Sequence, residues 1–519
     1  MNIVPNIESE IKKNWVLIVL LLFSTGFFFY QHNANLSWDF SVYVSNAKYW
    51  AGVGEYFEIL RPPLAPLMIL ILSPFGWFAS EYIYILIVSS IFLYSTIKLA
   101  DCSKVNRELL YFFSLSPYVL FYGFINGTEL LSLALLELFL VSLFENKRYS
   151  GVLLALASLT RYTLLMFFPL FLLDIDRKKL VFNLLLFVLT LLPWFGYNFY
   201  ATGDMLTSMA NSYALNIKAR FYIKEPFTYA HLLQVSLFAT PLVLFGVIKS
   251  IKSCKSSYSS FWKTPNGKGL SLFDRIFQFI KKERINFTFL LILAISLYQF
   301  NSISFKHIQY LFSMVLPVSY FSVIGVAPLK KISKRFLKLT AVLILILNLF
   351  YLIVLDATYP YENDAKFNES IKLMQSLGIA ECRTLSNGWA ILNYLKKNSE
   401  PFPREELVQK TVEEGNFILL FYRANEPEYV KNTTFLKTFP VILNTEEFIL
   451  IGNLTKCNPT RKVDQSYLYL LHEIILDTRG YSINTNPCFI IFDRIPIAEG
   501  FCNFVNLRGF KIDKNRLWV

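Results

Sequence analysis

Apolar residues in this chain are gathered into long runs that carry almost no charge. Trp15 to Tyr30, Tyr82 to Leu99, Leu109 to Ile125, Leu130 to Phe144, Leu180 to Tyr200, Leu232 to Val247, Phe287 to Phe300, Tyr310 to Val326 and Phe336 to Leu355 are each nearly uninterrupted. About 20 such residues cross the hydrocarbon layer as a helix, which pairs every backbone polar group internally. The stretch from Gly151 to Leu173 has Arg161 near its centre. It predicts a helical hairpin folded at that residue rather than one span around a charge. The total is about eleven transmembrane helices. Between Pro62 and Phe78 the chain is apolar but short and broken by Pro63, Pro66 and Pro74, which predicts a juxtamembrane helix on the outer surface. The first run is too long for a removable signal peptide and is expected to remain as a span.

The pattern changes after Leu355. Residues 356–519 read as a soluble α/β domain following a membrane domain at 1–355. Asn368 to Leu377 has helical periodicity and stops at Gly378, and Gln465 to Leu476 predicts a second helix. Phe417 to Tyr422, Phe448 to Ile451 and Phe489 to Phe492 are β-type runs. The predicted fold class is an α-helical polytopic membrane protein with a C-terminal soluble α/β domain.

Composition agrees. The chain has 519 residues, 54% of them hydrophobic, with a mean hydropathy of +0.43; a single soluble core does not absorb that much apolar surface. The net charge of +13 sorts by side of the membrane. With the amino terminus inside, 24 Lys and Arg fall on the inner side and 7 in the outer connections, the other 19 following Leu355. This obeys the positive-inside rule and predicts a multi-pass protein of the cell membrane whose carboxyl-terminal domain is extracytoplasmic. A nucleic-acid partner needs one basic face, and none is visible.

Cys102 and Cys254 fall in connections expected inside, whereas Cys382, Cys457, Cys488 and Cys502 fall in the carboxyl-terminal domain. An even number there suits two disulfides in an oxidising compartment, with the pairing open. Sequons at Asn368, Asn432 and Asn453 are consistent with exposure outside. The sequence has no CxxC or Cys/His metal spacing, and neither a metal nor another cofactor is expected.

Polar and charged residues near helix ends are expensive in lipid and are candidates for function. Under the predicted topology the unusual ones share the outer side: Asp39, Tyr43, Arg61, Glu129, Arg161, Asn198, Asp204, His307 and Tyr310. Their order is that of a known pattern. An early Asp39 is followed by Tyr43, Gly52-Val53-Gly54 and Arg61-Pro62-Pro63-Leu64. Thr160-Arg161-Tyr162 lies between two short predicted helices, then come Pro193-Trp194, Asn198 and Gly203-Asp204, and finally His307, Gln309-Tyr310 and Pro317. Over residues 1–355 this resembles the integral-membrane glycosyltransferases of the GT-C fold, especially the protein O-mannosyltransferase and aminoarabinose transferase branch (glycosyltransferase families 39 and 83). It departs in lacking a Pro after Asp204 and in having Gln309 where Arg is common.

The resemblance implies a polyprenyl-phosphate sugar donor, a protein or glycolipid acceptor and a membrane-lipid setting. The acceptor hydroxyl loses a proton as it attacks, so a carboxylate is needed as general base; Asp39 takes that role, with Glu129 orienting the acceptor or assisting. The departing lipid phosphate is stabilised by fixed cations, for which Arg is suited. Arg61, Arg161 and His307 are the donor-phosphate candidates, and Tyr43, Asn198 and Tyr310 the substrate-binding ones. Each has a plainer reading. Asp39 caps a loop helix, Glu129 starts a span, Arg161 snorkels to the head groups, Arg61 anchors a surface helix, His307 is a structural hydrogen-bonder and Asp204 is a turn residue. The competing functions are a secondary transporter, disfavoured by the lack of internal repeats, and a non-catalytic assembly subunit with an outer partner-binding domain.

Overall fold

In the computed structural model the described residues are 7–174, 176–213, 227–263, 282–303, 306, 308–329, 334–359, 364–402, 407–422 and 433–459. The chain divides into two units. The first comprises Met1–Asn33, Pro74–Pro193 and Glu225–Pro360; the second comprises Ala34–Ser73, Trp194–Lys224 and Tyr361–Val519.

Most helices of the apolar runs lie in the first unit. Among the described residues six helices are long and apolar enough to cross a bilayer: Asn14–Ala34, Trp77–Ser103, Lys178–Thr202, Tyr229–Ser257, Arg284–Ser302 and Ile308–Val326. Shorter apolar helices occur at Leu64–Phe75, Ser150–Thr160, Tyr162–Leu173 and Val342–Thr358. This is a multi-pass membrane protein.

Not every apolar run is a continuous helix. Leu109 to Ile125 is split into Arg107–Ser114 and Pro117–Tyr122. Pro117 has no amide proton to continue the first helix, and Ser116 before it adopts an extended ψ of 158°. Leu110, Tyr111, Tyr118, Val119 and Phe121 are buried, so this run is apolar because it fills the bundle interior. The helix Glu129–Phe144 is buried on nearly every side, as an all-round apolar helix must be.

Helicity is interrupted at Arg161. The helix Ser150–Thr160 ends there, Arg161 is extended (φ −148°, ψ 116°), and a 3-10 helix runs over Tyr162–Leu173. Two glycines permit one close helix approach. A Cβ on Gly246 would stand 2.0 Å from the Phe321 carbonyl oxygen, and one on Gly325 would stand 2.1 Å from that of Leu242. The helices Thr240–Lys263 and Val315–Leu329 therefore meet backbone to backbone, as small residues allow in lipid.

In the second unit the helix Trp38–Trp50 accompanies a five-stranded sheet. The strands are β1 (Thr384–Ser386), β2 (Glu400–Pro401), β3 (Phe417–Phe421), β4 (Val441–Asn444) and β5 (Phe448–Ile451), in the order β2-β1-β3-β5-β4. β1 is parallel to β2 and β3, while β5 is antiparallel to β3 and β4, with Leu419 opposite Leu450. Alternate residues serve two cores. Phe417, Leu419, Phe421, Phe448 and Leu450 pack with Phe367, Met374 and Ile391, and Trp38 joins this side. Ile418, Leu420, Ile449 and Ile451 pack with Val408, Val412 and Leu436. A strand buried on both faces reads as a continuous apolar run.

The helix Ala365–Ser376 ends as the sequence predicts, on Gly378 at φ +70°, with the Ile379 amide returning to Met374 O at 2.9 Å. Cys382 and Cys457 form a disulfide, and Cys102 and Cys254 are free thiols. Cys488 and Cys502 lie outside the described residues, as do the predicted helix Gln465 to Leu476, the strand Phe489 to Phe492 and the sequon Asn432.

Candidate active site

Local sequence explains where Asp39 sits. Ser37 is extended, and the helix Trp38–Trp50 begins after it with Asp39 in its first turn, where a carboxylate is favoured by the helix dipole. The segment leading to Pro62-Pro63 then returns Arg61 to this helix end. Arg61 Nη2 lies 2.8 Å from Asp39 Oδ1, and Arg61 Nε donates to Glu58 Oε2 at 3.0 Å. The Arg61 guanidinium also lies over the Tyr43 ring at 5.9 Å, within cation–π range. Burial pulls the guanidinium pKa down, but the charges of Asp39, Glu58 and Tyr43 outweigh it, and the result is well above the ordinary value.

The second carboxylate, Glu58, was not among the sequence candidates. It is buried within Tyr56-Phe57-Glu58-Ile59-Leu60, all five of which are buried. Asn46 clamps its backbone from both sides, Asn46 Nδ2 donating to Glu58 O at 2.9 Å and the Glu58 amide to Asn46 Oδ1 at 2.8 Å. Tyr56 donates its hydroxyl proton to Glu58 Oε1. Burial foremost, then the neighbouring Glu58 charge, raises the Tyr56 hydroxyl well above the usual phenol value. A carboxylate inside an apolar run three residues before an Arg was the available sequence signal. The two acids differ in access: the Asp39 side chain is 27% exposed and that of Glu58 only 3%.

The same unit holds an aromatic group. Trp50 Nε1 donates to Tyr197 Oη at 3.2 Å, and Trp194 stacks on Tyr197 with centroids 5.3 Å apart. Asn198, next along the helix Arg177–Thr202, is fully buried, and neither amide atom has a partner among the described residues. Asp204 is a turn residue, its Oδ1 accepting from the Leu206 amide at 2.8 Å.

Glu129 and Arg161 belong to the first unit. Glu129 opens the helix Glu129–Phe144 and is fully buried. Arg161 pairs directly with Glu129 Oε1, which also accepts from Asn126 Nδ2 at 3.1 Å, while Oε2 accepts from the Thr128 amide at 3.2 Å. Asn126 in turn bonds Gln309. Arg161, Gln309 and Tyr310 line a narrow crevice of about 10 Å³ together with Gln299 and Ser313, room for a single water. Tyr118 Oη donates to Ile308 O at 2.8 Å and ties down the start of that segment. His307 lies outside the described residues. Thus Asp39, Tyr43 and Arg61 are brought together in one unit, with Asn198 in that unit too, and Glu129, Arg161 and Tyr310 are brought together in the other. Among the described residues no group of three or more His, Cys, Asp or Glu is placed to hold a metal ion.

No protein-family model matches the chain, and no curated protein matches it in sequence. A solved structure matches it in fold: ArnT from Cupriavidus metallidurans bound to undecaprenyl phosphate, at 8% identity and a TM-score of 0.51, covering 84% of this chain and 98% of that one. The chain has the GT-C fold. An identity of 8% carries the architecture alone, so the roles of individual residues rest on their own geometry.

Proposed function

We propose that this protein is a membrane glycosyltransferase that moves a sugar from a polyprenyl-phosphate carrier to an acceptor hydroxyl on the outer side of the membrane. The fold supports the enzyme class, because the ArnT of the same architecture holds a polyprenyl phosphate. The observation that carries the residue assignment is the unequal access of the two carboxylates on Arg61. Glu58 is sealed in and serves as a fixed anchor. Asp39 is open to a substrate and serves as the general base, taking the acceptor proton while the acceptor oxygen attacks the anomeric carbon.

Arg61 holds Asp39 oriented, and its remaining N–H groups face the leaving phosphate. Arg161 supplies donor-phosphate charge, and His307 adds to it. Glu129, having no exposed surface, fixes the Arg161 guanidinium. Tyr43, Asn198 and Tyr310 contact substrate. A monophosphate leaving group carries less charge than a diphosphate, so side-chain cations suffice for it. The acceptor is a protein or a glycolipid, and the carboxyl-terminal domain lies outside the cytoplasm.

The test is to offer purified protein in lipid a panel of polyprenyl-phosphate sugars, measuring donor binding and transfer separately. Arg161→Ala is expected to weaken donor binding by roughly tenfold or more, one charge-assisted contact to phosphate. Donor binding by the native chain with no transfer to any acceptor would favour an assembly subunit instead.

A further inference from the structure

None of the roles above involves the carboxyl-terminal domain, yet one of its side chains enters the Arg61 cluster. Trp389 opens the short helix Trp389–Tyr394 on the core face of the sheet and is buried. Its indole Nε1 donates to Tyr56 Oη at 2.6 Å. An indole nitrogen and a guanidinium only donate, and a carboxylate only accepts. The direction of every bond in the series is therefore fixed. Trp389 donates to Tyr56, so the Tyr56 proton turns to Glu58 Oε1; Glu58 Oε2 receives Arg61 Nε, and Arg61 Nη2 is left for Asp39.

From this series we infer that Trp389 is a positioning residue for the Asp39 base, through which the carboxyl-terminal domain governs transfer. The inference rests on the reading of Asp39 given above. Donation from the indole draws electron density from the Tyr56 oxygen and strengthens the bond from Tyr56 to Glu58, as linked hydrogen bonds do in a low dielectric. Part of the Glu58 charge is taken up in that bond, and the Arg61 fork settles between two acids of balanced strength. Without the indole N–H, the buried Tyr56 oxygen loses a donor, Glu58 pulls harder on Arg61, and Nη2 leaves its place on Asp39. Packing alone does not require the nitrogen: Trp389 also meets the edge of Trp38 at 4.5 Å and 87°, a contact that a Phe ring keeps in part.

Two measurements on the full-length chain in lipid nanodiscs test this. In the first, Trp389→Phe lowers kcat by roughly five- to tenfold, one hydrogen bond's worth, with KM within about twofold of native. Tyr56→Phe costs at least as much, and the double variant costs no more than Tyr56→Phe alone, because the Trp389 effect passes through the Tyr56 hydroxyl. Defects that multiply, or a kcat unchanged in Trp389→Phe, overturn the inference. In the second, tryptophan is labelled with nitrogen-15 and the Trp389 indole N–H resonance is identified by its loss in Trp389→Phe. That resonance moves in Glu58→Gln and in Asp39→Asn, whether or not any sugar is transferred. A resonance indifferent to both overturns the inference. A responsive resonance in a chain that transfers no sugar removes the general-base reading and leaves the coupling intact.

Discussion

Arg61 and Asp39, 22 residues apart in sequence, meet at 2.8 Å, and the same guanidinium is held from behind by buried Glu58. A cation shared in this way keeps one carboxylate accessible and fixed in direction. That is what a general base needs when the proton it takes belongs to a bound hydroxyl. Arg161 is arranged differently, against the fully buried Glu129.

The Glu129–Arg161 pair is expected to be strongly coupled. Removing one partner leaves an uncompensated buried charge, which costs about 3–5 kcal/mol. Glu129→Leu and Arg161→Leu singly are predicted to lower thermal stability in detergent more than the double variant does. Independent, additive losses in a double-mutant cycle would contradict the pairing.

Close approach at Gly246 and Gly325 gives a packing prediction. The atoms that a new side chain would strike are backbone carbonyl oxygens of Phe321 and Leu242, which cannot swing aside as a side chain does. Gly246→Val and Gly325→Val are each expected to cost about 1–3 kcal/mol or more. Gly196, with nothing within 4 Å of an added Cβ, tolerates Ala with a change of less than about 1 kcal/mol. Unfolding curves of the three variants check the order.

Lys397 makes the carboxyl-terminal domain pH-sensitive. Its ammonium is buried, donating to the carbonyl oxygens of Ala380 and Cys382. Burial lowers its pKa to about 8, with Glu381 opposing the fall. The unfolded chain keeps the ordinary higher value. Between the two, the unfolded state binds more protons than the folded one, and stability therefore rises with pH from about 8 upward. Below pH 8 the full cost of burying the charge, on the order of 3 kcal/mol, is present. The melting temperature of the native chain is predicted to rise across this window more steeply than that of Lys397→Met. Parallel curves would contradict it.

Much of the fold was legible because lipid imposes a strong pattern. Runs such as Tyr82 to Leu99 and Leu180 to Tyr200 lie within the helices Trp77–Ser103 and Lys178–Thr202. Phe417 to Tyr422 and Phe448 to Ile451 are the strands β3 and β5, give or take one residue. Hydropathy alone did not distinguish lipid-facing from bundle-core residues, which is why Leu109 to Ile125 looked like one span although Pro117 divides it. The disulfide was illegible in principle, since four cysteines allow three pairings and only folding brings Cys382 to Cys457. At the site, Asp39, Tyr43 and Arg61 stood out by residue type and order. Glu58 did not, because an acid flanked by Phe57 and Ile59 has no periodicity to mark it, and its role comes from three-dimensional contacts with Asn46, Tyr56 and Arg61.

The most direct test of the account is sugar transfer from a polyprenyl-phosphate donor by the native chain and by Asp39→Asn, in lipid and with matched unfolding curves. Asparagine keeps the shape of the side chain and cannot take the acceptor proton. The account predicts transfer by the native chain and a fall of about 10²–10⁴-fold in Asp39→Asn, with donor binding retained. Transfer by Asp39→Asn at the native rate would contradict it.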